Sequence, residues 1–169
     1  MERIIVLAMH GVPPRDFPSD ELAEMMSLHA RLGHAPENQK AVLGERHHAL
    51  ETRMRDWPRN EWNDPYFAAS NVLAAELAKA TGDEVVVGFN EFCAPSLDEA
   101  LDRAAARAPE QVLVITPMMT QGGEHSEKDI PAAIERARTR HPGLSIRYVW
   151  PFPVTAIARF LAEQATRAD

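Results

Sequence analysis

The chain has 169 residues, 45% hydrophobic and 25% charged, enough for one compact domain with a real core and short for two. Its formal net charge of -7, with no concentrated basic face in the sequence, repels a phosphate backbone, so nucleic acid is not an expected partner. A lone Cys93 excludes an internal disulfide or a cysteine-rich metal knuckle and fits a reducing cytoplasm; no apolar run is long enough for a signal peptide or a bilayer span, so no membrane partner is expected.

The first predicted element is a strand over "RIIVLAM", residues 3–9, which ends in the pair His10-Gly11. Residues 12–63 follow, far longer than the usual ~2–6 residue connection between a strand and its returning helix. They carry two helical patterns, at 19–33 with Ser19 as its cap and at 38–57, and close on the aromatic, proline-containing segment "WPRNEWNDPY". This stretch reads as a helical insert that emerges at the rim where His10 stands. Next comes a helix over 64–82, opened by Asp64-Pro65 and closed by Gly82, with Phe67, Val72, Leu73, Leu77 and Ala80 close to one face.

"EVVVGF" at 84–89 and "QVLVIT" at 111–116 are nearly continuous in Val, Ile and Leu, the mark of strands covered on both faces. Glu91 lies just past the first of them in "GFNEF". Between them, Ser96 and Glu99 form a capping box that starts a helix over 96–108. After the second strand the loop "PMMTQGGEHSEKDIP", 117–131, leads into a helix over 127–141, with Asp129 near its start and basic residues in its last turn, as the helix dipole favours. "LSIRYVW" at 144–150 is the fourth strand, and 153–167 the last helix.

Strands alternating with helices specify a doubly wound α/β fold with right-handed crossovers, here a four-stranded parallel sheet in the order 2-1-3-4 with helices on both faces and residues 1–169 as one domain. In such sheets ligands bind beyond the strand C-termini where the strand order reverses, which here falls between strands 1 and 3. His10 ends strand 1, His125 follows strand 3 and Glu91 follows strand 2, so all three are expected to converge on one cleft. Two neutral imidazoles and a carboxylate on separate loops make an open site for cobalt, iron, nickel or zinc, suited to an ion that must leave.

Each of these residues also has a plainer role. His10 alone would read as a buried histidine bonded to a carbonyl; its match with His125 across the switch point favours function. Glu91 reads equally well as a lead-in to the helix at Ser96. Gly122 and Gly123 permit positive φ and close ligand approach, or simply punctuate a turn. Glu124 and Glu127 flank His125 and offer a base beside it, or form a solvated helix start. Met9, Met118 and Met119 fill the core or line a flat apolar face for a planar ligand. The insert's His29, His34, His47 and His48, with its arginines, form a charged helical surface, or as a group grip an anionic substrate. A Walker loop, a GxGxxG turn and a GxSxG elbow are absent from the sequence, so nucleotide binding and serine hydrolysis lack their usual carriers, and Cys93 reads as a buried bystander.

The segments "VLAMHG", "VGFNEFCAPSLDEAL", "VLVITPMMTQGGEHSEKDIP" and "HPGLSIRYVWPF" resemble, in order and spacing, the class II tetrapyrrole chelatases, specifically the short sirohydrochlorin chelatases of the CbiX and SirB type. The resemblance implies a flavodoxin-like fold and a cytoplasmic homodimer. It implies insertion of a divalent metal substrate, cobalt first and iron or nickel next, into sirohydrochlorin or a related tetrapyrrole without a nucleotide. By resemblance, metal holding and pyrrole deprotonation fall on His10, His125 and Glu91; Met9, Gly11, Met118, Met119, Gly122 and Gly123 are expected from their positions to line the substrate pocket. The first loop departs from the family pattern in reading "HGVPP", and the insert is atypical. A carrier that holds metal or tetrapyrrole without turnover is the alternative reading, and an interaction domain of the same fold a third.

Overall fold

A computed structural model describes residues 2–167. Four parallel strands, β1 (Arg3–Met9), β2 (Glu84–Phe89), β3 (Gln111–Ile115) and β4 (Ser145–Tyr148), form one sheet in the order β2-β1-β3-β4. The expected order is therefore the observed one. β1 is central, and every residue from Ile4 to Met9 is buried. Its side chains alternate: Ile4, Val6 and Ala8 join Val112, Val114 and Ile146 in one core, whereas Leu7 and Met9 join Val87 and Phe89 in the other.

Among the helices, α1 (Ser19–Leu32) and α2 (Glu37–Arg55) lie in the insert and α3 (Pro65–Thr81) returns the chain to the sheet. Then come α4 (Leu97–Ala105), α5 (Ile130–Arg140) and α6 (Val154–Ala165). α4 and α5 cover one sheet face with Leu97, Ala100, Leu101, Ile130, Ala133 and Ile134; α3 covers the other through Ala74, Phe67 and Leu77. The predicted capping box holds, since Ser96 and Glu99 each bond the other's backbone N–H. Gly88 lets α4 close on the sheet, because a Cβ there would stand 2.7 Å from the Ala100 Cβ.

Two local expectations are corrected. Val72, Leu73 and Ala80 face outward on α3, because the helix turns the narrow row of Ser70 and Ala74 inward, where small side chains permit close packing. Ser19 begins α1 as its first helical residue and makes no capping bond; Pro18 occupies the cap position. α6 buries no residue, leaving Val154, Phe160 and Leu161 exposed, so it adds little to either packed face.

The insert has its own small core of Phe17, Met25, Leu28, Leu50 and Met54, joined by Phe92 from the loop after β2. Its return segment is bolted to the rim. The Arg59 guanidinium pairs with Asp64 and donates to the carbonyls of Val12, Met54 and Phe92; the Arg59 and Asp64 side chains are 3% and 1% exposed. Asp64 also caps α3, accepting from the Phe67 N–H at 2.8 Å. Nearby, Arg55 donates to the carbonyls of Asn90 and Cys93, tying α2 to the loop that carries Glu91.

Candidate metal centre

The β1–β2 pairing continues past both strand ends. Asn90 donates from its backbone and side chain to the Met9 carbonyl, and the Glu91 N–H donates to the His10 carbonyl at 3.0 Å. Glu91 is thereby set directly beside His10. This close approach explains the glycine after the histidine: Gly11 has φ +103°, and a Cβ there would stand 1.9 Å from the Glu91 carbonyl oxygen. The His10 N–H donates to the Tyr66 hydroxyl at 3.3 Å.

His125 arrives from the other side of the switch point. It opens a π-helical turn, His125–Asp129, that runs into α5. The turn is anchored by Ser126, which is buried and donates to the Gly123 carbonyl, and by Tyr148, whose hydroxyl donates to the Ser126 carbonyl at 3.1 Å. Burial pushes the Tyr148 hydroxyl pKa up, so it remains a proton donor. Trp150 stacks on Tyr148 and donates to the Met118 carbonyl, bracing the loop's first half.

The result is a cluster at the strand C-termini. Glu91 Oε1 lies 3.1 Å from His10 Nδ1 and 3.4 Å from His125 Nε2, and the two imidazole centroids are 4.6 Å apart. One ligand atom from each residue lies within 4.8 Å of the others, and this is the single group of three or more metal-ligating side chains found among the described residues. His10 Nδ1 is buried without a hydrogen-bond partner, its approach to Glu91 being close but poorly aligned. An orphaned imidazole nitrogen facing a carboxylate and a second imidazole suits a cation.

Asp129 completes the arrangement, with its carboxylate 2.6 Å from His125 Nδ1. An ionised carboxylate only accepts, so the proton resides on Nδ1 and the Nε2 lone pair is free toward Glu91. Of the two roles open to Glu124 and Glu127, a base beside His125 or a solvated helix start, the structure has the second. Asp129, expected only to favour the helix dipole, is the partner of His125. Glu124 pairs with Lys128, and Glu127 accepts from the Gly122 N–H at 2.7 Å. The available signal was the four-residue spacing from His125 to Asp129, which puts both on one helix face.

The other expected pocket residues separate. Gly122 takes φ +92°, whereas Gly123 does not take a positive φ. The methionines do not share one surface, because strand alternation and the turn after β3 divide them. Met9 is buried in the α3-side core, Met118 packs against the opposite core, and Met119 lines an apolar groove with Leu73, Leu77, Ile115 and Phe152. Cys93 is fully buried and its thiol is pushed up to about 11 by burial, in keeping with a bystander. A groove of about 720 Å³ runs along the outer edge of β2 between α3 and α4, lined by Ala74, Ala78 and Arg107 rather than by the cluster.

A family model described as CbiX matches residues 61–168. The chain belongs to the CbiX family. Glu91, His125 and Asp129 fall within the matched CbiX segment, while His10 and residues 12–60 of the insert precede it. Sirohydrochlorin cobaltochelatase of Sulfurisphaera tokodaii is 30% identical over 105 residues, 62% of this chain and 79% of that protein. The Methanopyrus kandleri protein of the same name is 37% identical over 69 residues, 40% of this chain and 48% of its own length. In solved structures, a CbiX protein from Marinobacter aquaeolei VT8 is similar over 100% of both chains, with a TM-score of 0.52 and 21% identity, which supports the fold.

Proposed function

We propose that this CbiX-family protein is a tetrapyrrole chelatase that inserts a divalent metal, cobalt foremost and iron or nickel as alternatives, into sirohydrochlorin or a related ring. The observation that carries the reading is the convergence of His10, Glu91 and His125 at the switch point. The names of the Sulfurisphaera and Methanopyrus relatives support the same substrate pair.

In this proposal the substrate cation rests on His10, Glu91 and His125 Nε2. The site stays open because it draws on three side chains that are each only half-buried. A tetrapyrrole laid over the cluster presents its ring nitrogens to the cation. As the cation passes to the ring, the vacated imidazoles and Glu91 become bases for the pyrrole N–H protons. Asp129 stabilises His125 when it takes up such a proton. The turn at Gly122 and Gly123 offers backbone against which the ring can lie, and Gly11 holds Glu91 in place.

Homodimeric assembly belongs to the same proposal. Its support is the apolar groove around Leu73, Met119 and Phe152, together with the exposed Val72 of α3 and the exposed Val154, Phe160 and Leu161 of α6. Light scattering on the eluted protein tests it. A cytoplasmic setting is proposed from the lone reduced cysteine; among the described residues no helix is long and apolar enough to cross a membrane.

The direct test follows sirohydrochlorin absorbance anaerobically with cobalt(II), iron(II) or nickel(II). Wild type should accelerate metallation over the protein-free rate, and His10→Ala and His125→Ala should each abolish the acceleration. Ring binding without acceleration for any metal would overturn the enzyme reading in favour of a carrier.

A further inference from the structure

The insert brings a second pair of imidazoles to the edge of the metal centre. His29 of α1 and His47 of α2 have ring centroids 5.5 Å apart, inclined at 39°. Neither histidine belongs to the insert core, which is made by Phe17, Met25, Leu28, Leu50 and Met54. His29 and His47 instead border a cleft of about 270 Å³, with Glu51 and Met26 on the insert side and Asn90 and Glu91 on the sheet side. Glu51 Oε2 stands 3.9 Å from His47 Nδ1.

Two features make this cleft more than a polar surface. Its far wall is Glu91, the same carboxylate that bridges His10 and His125, so an ion in the cleft is one ligand away from the cluster. Its donors are also the right kind and number for a transient stop. With metal–nitrogen bonds of about 2.0–2.1 Å, two imidazoles at this separation can share one ion, while a carboxylate at the periphery adds charge. Lacking a third close ligand, the pair should hold an ion less firmly than the cluster. Arg55, the nearest cation in the lining, is engaged by Glu51 and by the carbonyls of Asn90 and Cys93.

We infer that His29 and His47 form a second, weaker divalent-cation site, from which an ion passes across the shared cleft to Glu91 and the cluster. The staging role rests on the chelatase reading; the existence of the site does not.

The test is a titration of the metal-free 169-residue chain with cobalt(II) chloride, without tetrapyrrole, followed by calorimetry and by the visible absorption of the bound ion. Wild type should bind two equivalents with unequal affinity. The pair variant His29→Ala/His47→Ala should lose the weaker equivalent and keep the tighter one, whose retained absorption also reports a folded site. The variant His10→Ala/His125→Ala should lose the tighter equivalent and keep the weaker one, and His48→Ala, on an exposed face of α2, should keep both. One equivalent in wild type, two in the pair variant, or none in the cluster variant would each overturn the proposal. Because no tetrapyrrole is present, a failure here is distinct from a failure to accelerate metallation.

Discussion

The Asp129 carboxylate lies 2.6 Å from His125 Nδ1, across a single π-helical turn. That contact fixes which imidazole nitrogen faces Glu91, and so decides whether the cluster has two nitrogen donors or one. Asp129→Ala should weaken cobalt(II) binding at the cluster by about 10- to 100-fold, the usual cost of losing such a supporting carboxylate. Asp129→Asn, which can still accept the Nδ1 proton, should fall between. Competition titration against a chromogenic chelator measures both, and unchanged affinity in Asp129→Ala would remove the residue from the site.

Gly11 and Gly82 both take positive φ, at +103° and +77°, but only Gly11 faces an obstacle. In Gly11→Ala the new methyl must displace the Glu91 carbonyl, so cobalt(II) binding should be lost together with stability. Gly82→Ala, with open space around it, should cost only the conformational strain, of order 1–3 kcal/mol, and leave cobalt(II) affinity intact. Thermal melts and metal titrations on the two variants separate these effects.

Arg59→Met strands a carboxylate that is 1% exposed and takes the donor from the Val12 and Phe92 carbonyls, while the Met54 carbonyl keeps the Trp57 N–H. A loss of about 3–5 kcal/mol in urea unfolding is expected. Adding Asp64→Asn, which removes the stranded charge and retains a helix cap, should recover part of that loss. If the double variant is no more stable than the single, the buried charge is not the cause.

Asp98 gives the fold an acid limb. Burial works to raise its carboxyl, but the hydrogen bonds from Arg136 and Arg140 outweigh that and hold it below the ordinary aspartate value. Its folded pKa is thus below its unfolded one. Its contribution is fully present above the unfolded value of about 3.9 and disappears as pH falls through the lower, folded value. Asp98→Asn should therefore be less stable than wild type near neutrality, with the gap closing as pH falls below the ordinary aspartate value. Urea midpoints across that range measure the gap; a constant difference would contradict the assignment.

The strands were legible because central, doubly covered strands must be apolar at every position, as "IIVLAM" and "VLVI" are. Their order then placed His10, Glu91 and His125 together without further information. Asp129 was hidden because a carboxylate in a first helical turn has a sufficient local explanation in the dipole, and only the π turn reveals that it points at His125. The outward face of α3 was misread for a related reason: Val72 and Leu73 outrank Ala74 in hydrophobicity, but the tight approach of helix to sheet selects the smaller side chain. Gly11 shows the opposite case, a sequence signal whose cause, the Glu91 carbonyl, lies eighty residues away.

Arg59 has a consequence for how substrates are met. By gripping Val12, Met54 and Phe92 at once, it welds both ends of the insert to the sheet rim. The insert is therefore a fixed wall and not a swinging door. A rigid wall costs little ordering entropy when a ligand arrives, so discrimination rests on the width of the opening already present, and ligand size is judged at entry.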